Sequence, residues 1–202
     1  MSMPKVVDHQ QRRREIAEAA WRTALRRGLD DLTLRTVAAE AQVSTGVLAH
    51  YFADKEALIL HALQTAVDRI IAQFIERAGN LSPWEALRAA LLEGLPLDAA
   101  RRDEWRTWLN FWALALDSPA LTAEQNRWYG RWQGFLATQI RHCQEEGVVP
   151  RDLDPDEEAT AAIAFIDGLS LQAAFDPQHF TAERQNRLLD RYLARLSSHT
   201  TG

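Results

Sequence analysis

Apolar residues along this chain recur at three- and four-residue intervals, and no stretch sustains the two-residue alternation of a half-buried strand. β-Branched residues are sparse, so the pattern predicts an all-α fold. Clear punctuation marks the helix ends. Ser82-Pro83-Trp84-Glu85 and Asp154-Pro155-Asp156-Glu157 each set a capping residue, a first-turn proline and a glutamate at the third helical position. Ser118-Pro119 repeats the cap and the proline, and Thr33, Ser44, Asp54 and Thr181 are further N-caps. Gly28, Gly79, Gly147 and Asp176-Pro177 read as stops. About nine helices result, over 9–27, 34–41, 45–52, 55–78, 83–96, 103–117, 120–146, 156–175 and 182–197. The first three are short and closely joined and the rest are longer. That change places a domain boundary near Asp54, with a small domain over 1–54 and a larger one over 55–202.

Composition narrows the class. With 47% hydrophobic and 25% charged residues, the chain has the balance of a globular protein. The longest apolar stretch, 159–171, is interrupted by Asp167, Gly168 and Ser170, so no membrane span is expected. The segment after Met1 leads into charge rather than an apolar core, so no secretory leader is expected and the cytoplasm is the expected location. A single cysteine, Cys143, excludes an internal disulfide and a multi-cysteine metal site. The adjacent pair His142-Cys143 is not a ligand constellation, and no metal or cofactor is expected. No nucleophile elbow, glycine-rich phosphate loop or zinc-binding histidine pair is present, so no enzyme is expected.

The net charge of −5 does not itself suggest a nucleic-acid partner, but its distribution matters. In residues 1–52, Lys5, Arg12, Arg13, Arg14, Arg22, Arg26, Arg27 and Arg35 outnumber Asp8, Glu15, Glu18, Asp30, Asp31 and Glu40, whereas the remainder is acidic. A mildly basic end on an acidic body can point one surface at a phosphate backbone.

Residues 33–55 hold the most informative pattern. Leu34, Val37, Ala38 and Ala41 share one helical face, a tight turn follows at Gln42-Val43, and a second helix opens at Ser44. Alanines at 38, 39 and 41 permit a close helix crossing, and Val43 can fill the corner, which together read as a helix-turn-helix. In the second helix, Val47, Leu48, Tyr51 and Phe52 are expected to anchor inward. Thr45, Gly46, Ala49 and His50 then form a slim outer face able to enter the major groove. His50 also admits a packing or phosphate role. The alternative reading of 33–55 is a plain helical hairpin inside a core.

The run from Val43 to Lys55, followed by Glu56, Ala57 and Leu58, resembles the recognition-helix signature of the TetR family of transcriptional regulators, and Gly28–Ala38 is similar to the segment before it. The resemblance implies a three-helix DNA-binding domain on a larger helical domain for ligand sensing and dimerisation. It implies base contacts by Arg35 and Thr45, with Ala49 and His50 on the same edge, and phosphate contacts by Thr33, Ser44, Tyr51 and Lys55. Arg12–Arg14 can add backbone or minor-groove contacts. It further implies a homodimer through helices 156–175 and 182–197, reading palindromic double-stranded DNA and released by a small-molecule effector. A helical sensor or scaffold that no longer binds DNA is the competing reading.

Five of the seven tryptophans lie in two helices. Trp105, Trp108 and Trp112 follow one face with Leu109 and Leu116, while Phe111 and Leu114 lie opposite, so helix 103–117 should be largely enclosed. Trp128 and Trp132 are one turn apart. These indoles form either an aromatic core or a cage for a cation such as a quaternary ammonium group. Trp108–Ala115 and Phe165–Leu171 resemble the C-terminal domain of the choline-responsive BetI branch, which implies choline or a related amine as effector and Trp108, Asn110, Trp112 and Asp167 as residues near it. Asp167-Gly168 interrupts a very apolar helix. It is either a carboxylate beside the ligand with a glycine for close helix approach, or part of a dimer interface or cap.

Overall fold

Side-chain oxygens start most of the helices in the computed structural model, which describes residues 9–78 and 80–197 and, within them, no side chains at 70 and 73–78. Lys5, Asp8 and the stop at Gly79 lie outside the described residues. Among the described residues there are nine helices and no strand: α1 His9–Arg27, α2 Leu34–Glu40, α3 Thr45–Tyr51, α4 Lys55–Ala78, α5 Pro83–Glu93, α6 Ala99–Leu116, α7 Pro119–Glu145, α8 Pro155–Phe175 and α9 Ala182–Ser197. Ser82 and Glu85 close a capping box at α5. Asp54 accepts from the Ala57 amide at 2.8 Å, Ser118 from Leu121 at 3.2 Å and Thr181 from Arg184 at 3.3 Å. Asp154 caps α8 by accepting from Asp156 at 2.9 Å, without the reciprocal bond expected from Glu157. Asp98 is a cap that the apolar pattern did not disclose. It accepts from the Arg101 amide at 2.9 Å and starts α6 at Ala99 rather than at 103. None of the helices is long and apolar enough to cross a membrane.

The chain divides into two compact units, residues 1–72 with 107–124 and residues 73–106 with 125–202, the divisions running through α4, α6 and α7. In the first unit, Ile16, Ala20 and Trp21 of α1 pack with Val37 and Ala38 of α2, Leu48 of α3, Phe52, and Leu58 and Ala62 of α4. Phe111, Ala115 and Leu121 complete this core, and Trp108 lies against Trp21 with ring centroids 5.5 Å apart. Helix α6 is less enclosed than its pattern predicts. Leu114 is 40% and Leu116 85% exposed, because only the sector of Thr107, Phe111 and Ala115 is covered.

The second unit has its own core of Leu87, Leu91 and Leu95, Leu136 and Ile140, Ala162, Ile166 and Leu169, and Leu189, Leu193 and Leu196. Gly94 is where α5 ends and comes closest to α8, since a Cβ there would sit 2.8 Å from Ile166 Cγ2. Gly168, expected to permit close approach, has nothing within 4 Å of a built Cβ. Cys143 is buried, its thiol pushed up to about 11 by burial and by the Glu146 carboxylate.

Candidate nucleic-acid interface and effector site

The helix-turn-helix is built by local backbone chemistry. Thr33 and Thr36 close a capping box at the start of α2. At its end, Gln42 adopts a left-handed φ of 55°, the Val43 amide donates to the Ala38 carbonyl at 2.9 Å and the Gln42 amide to Ala39 at 3.3 Å. This is the Schellman pattern, in which the apolar residue after the left-handed one packs back on the helix. Val43 is half-buried against the core, so the turn both stops α2 and aims α3. Ser44 then caps α3, its oxygen accepting from Val47 at 3.2 Å, which leaves the hydroxyl proton available to a phosphate oxygen.

Only one residue of α3, Leu48, is buried, with Phe52 directly after the helix. Thr45, Gly46, Ala49 and His50 are exposed, as expected. Val47 is not the anchor its apolar character predicts. It is 41% exposed, because a seven-residue helix offers one inward sector and Leu48 occupies it. The outer face therefore gains a branched apolar group suited to a thymine methyl. A Cβ on Gly46 would meet nothing nearer than Ser44 Oγ at 3.8 Å, so packing does not require glycine and its effect is a thinner outer face.

The flanking residues divide between free and held. Thr33 is exposed although its hydroxyl takes part in the cap. Arg35 is exposed and makes no hydrogen bond or ion pair among the described residues. Lys55 Nζ donates to the Asp30 carbonyl at 3.3 Å, tying the start of α4 to the α1–α2 loop. Tyr51 is half-buried, with its hydroxyl 3.3 Å from His9 Nδ1 and its ring 5.4 Å from that of His50. The pattern did not single out His9, which lies 42 residues from its partner and belongs to the face only once α1 folds across α3. Behind this face the Arg13 guanidinium sits 5.5 Å from the centre of the Phe52 ring. The nearby His61 imidazole is held below its ordinary value, first by burial and then by the charges of Arg13 and Arg14.

The residues expected near an effector lie in both units. Trp108 and Trp112 pack on the first unit's core, and Asn110 is exposed. In the second unit, Trp105 donates its indole N–H to the Gly94 carbonyl at 2.9 Å, an oxygen that the Ser170 hydroxyl also meets at 3.1 Å. Trp132 stacks on Phe135 with centroids 6.2 Å apart, and Trp128 lies 5.3 Å from Tyr129. Asp167 receives a 2.7 Å hydrogen bond from the Tyr129 hydroxyl. Burial raises the Asp167 carboxyl above its ordinary value, and the tyrosine bond opposes the rise. Burial and the neighbouring carboxylate push the Tyr129 hydroxyl far upward in turn. Tyr129 was missed from the sequence. The available signal was a carboxylate on an apolar helix, which needs a donor, together with a tyrosine beside Trp128 on another helix.

Helices α8 and α9 contribute to the second unit's core. Ile166 and Leu169, and Leu189, Leu193 and Leu196, are buried in that core, and Ala173 is buried as well. Ile163 and Leu188 pack half-buried against the core, while Leu171 is 38% and Phe175 80% exposed. No group of three or more His, Cys, Asp or Glu side chains that could hold a metal ion occurs among the described residues.

Known proteins share both halves of the chain. Residues 16–62 match the bacterial regulatory proteins of the tetR family, and residues 83–198 match the C-terminal domain of BetI-type transcriptional repressors. The chain is 33% identical to the HTH-type transcriptional regulator BetI 1 of Chromohalobacter salexigens over 98% of each protein. It is 31% identical to the HTH-type transcriptional regulator PksA of Bacillus subtilis over 93% of this chain and 90% of that one. Among solved structures, a transcriptional regulator from Saccharomonospora viridis in complex with choline matches with a TM-score of 0.81 at 30% identity, covering 92% of this chain and 96% of that one.

Proposed function

The chain belongs to the TetR family of bacterial regulatory proteins and carries a BetI-type repressor domain, and from that premise we propose how its own residues read DNA and sense a ligand. The protein is a DNA-binding transcriptional regulator of the repressor type. In our reading, residues 1–54 form the DNA-binding domain and 55–202 the sensing and dimerisation domain, acting in the cytoplasm. Thr45, Gly46, Ala49 and His50 enter the major groove, Arg35 reaches a base edge, and Thr33, Ser44, Tyr51 and Lys55 hold phosphates. The observation that carries this is the slim exposed face of α3 around a single buried Leu48, flanked by an unpaired Arg35.

Two copies joined through α8 and α9 would present two such helices to a palindromic operator. The uncovered apolar groups Phe175 and Leu171, and the open space around Gly168, support α8 as that interface. The effector is a small amine received by Asp167, Tyr129 and Trp128. A half-buried carboxylate that accepts from the Tyr129 hydroxyl favours a cation, and the Saccharomonospora relative holds choline. Its binding shifts the protein towards a state of lower operator affinity by the difference in its affinity for the two states.

The test is fluorescence anisotropy on an operator duplex obtained by selection from genomic DNA. Arg35→Ala and Tyr51→Ala should each weaken binding about ten- to a hundredfold, the equivalent of roughly 1–3 kcal/mol for a base or charged contact, with unchanged circular dichroism. Undiminished binding by both variants would refute the interface.

A further inference from the structure

The outer surface where the end of α1 meets α2 holds a hollow of about 390 Å³, room for on the order of ten waters. Three guanidinium groups line it, Arg26 and Arg27 from the last turn of α1 and Arg35 from the first turn of α2, against one carboxylate, Glu40. That carboxylate is already committed. Arg22 Nε lies 3.2 Å from Glu40 Oε1, and Arg26 pairs with the same oxygen. The two arginines hold the Glu40 carboxyl below its ordinary value, so it stays a fixed anion shared by two cations. Arg27 and Arg35 have no ion pair or hydrogen bond among the described residues, and both are exposed. Two uncommitted, permanently charged forks therefore face a concave space whose only acid is doubly neutralised.

We propose that this hollow is an anion site that receives a phosphate group between Arg27 and Arg35. Guanidinium forks match phosphate oxygens in pairs, and the concave wall lets two of them act on one group without either leaving its helix. The phosphate can come from two sources with the same chemistry: the DNA backbone beside the stretch that α3 reads, or a free phosphorylated molecule. Only the first source rests on the regulator reading. Because Arg35 is also the base-contact candidate, Arg27 is the residue that separates the two roles.

The experiment uses the full chain and the exposed, unpaired Arg27, whose replacement removes no fold contact. Anisotropy titrations compare wild type, Arg27→Gln and Arg35→Ala on the selected operator and on an unrelated duplex across a range of salt. A thermal-shift series with inorganic pyrophosphate runs beside them without DNA. If the site takes a backbone phosphate, Arg27→Gln weakens both duplexes by a similar three- to tenfold and lowers the salt slope by about one, whereas Arg35→Ala weakens the operator more than the unrelated DNA. If it takes a free phosphate, pyrophosphate raises the wild-type midpoint but not that of Arg27→Gln, and DNA affinity is unchanged by the substitution. Arg27→Gln behaving as wild type in both assays overturns the site, even where Arg35→Ala still loses the operator. A wild-type protein that binds no duplex refutes the regulator reading instead, and the pyrophosphate series alone then decides the hollow.

Discussion

On the recognition hairpin of the first unit, the side chains proposed to meet DNA stand in water: Thr45, His50 and Arg35 are exposed, and Leu48 alone is buried in α3. Around Asp167 in the second unit the arrangement is reversed, with a carboxylate drawn into an apolar helix and answered by the Tyr129 hydroxyl at 2.7 Å. The difference suits the partners proposed for each. DNA brings its own dense charge and water to a surface, so donors there need only reach outward on a rigid support. A small cation of the kind proposed would have to be taken out of water, and a half-buried carboxylate would favour that at the cost of its own partial desolvation.

Four measurements would break or sharpen this contrast. The largest effect is expected from Leu48→Ala, which empties the one fully buried position of α3 and should destabilise the protein by about 2–5 kcal/mol in chemical denaturation. A loss below about 1 kcal/mol would mean that α3 is not held by this contact. Next, Asp167→Asn should weaken binding of a quaternary amine about ten- to a hundredfold by calorimetry while leaving the melting temperature equal or slightly higher, since a desolvated charge is removed. The raised carboxyl also gives the wild-type amine affinity a pH dependence. Affinity rises with pH as Asp167 ionises and falls as it is protonated. Equal amine affinity for wild type and variant would place the effector elsewhere.

A smaller gain comes from the turn. Gln42→Gly relieves a left-handed backbone at the cost of greater freedom when unfolded, so stability should rise by about 0.5 kcal/mol with operator affinity unchanged. The smallest effect is a slope. The folded-state His61 lies below its ordinary 6.5, so the unfolded chain takes up the proton first. Stability should therefore be full above that value and decline as pH falls below it, and His61→Gln should flatten the decline in thermal melts at several pH values. An unchanged slope in His61→Gln would assign the pH dependence to another group.

Much of this molecule could be read from residue order, for reasons that differ by residue. Ser82 with Glu85, and Ser44 three residues before Val47, announce helix starts because a cap bonds to an amide three positions away. The outer face of α3 was legible because helical period separates Leu48 from Thr45, Ala49 and His50. Val47 was misjudged because apolar character says that a residue can be buried, not that a neighbour exists to bury it. In α8 and α9 helical period marks Ile166, Leu169, Leu189 and Leu193 as one-sided apolar positions, and the structure adds that they join the second unit's core, since periodicity identifies a face and not what covers it. Asp98 lacks the first-turn proline that follows Ser82, Ser118 and Asp154, although Gly94 and Pro96 stand just before it.

The sequence by itself determined the helices, most of their caps, the turn between α2 and α3, and the chemical character of the recognition face. All of these depend on groups a few residues apart along one backbone, where covalent geometry settles what can meet. Only the tertiary structure decided that Tyr129 answers Asp167 across 38 residues, that His9 meets Tyr51 across 42, and that Trp105 is occupied by the Gly94 carbonyl. It also decided that Arg27 and Arg35 line one hollow. Those pairings depend on which faces pack and at what angle, a choice made by the burial of whole helix surfaces together rather than by any short run of residues.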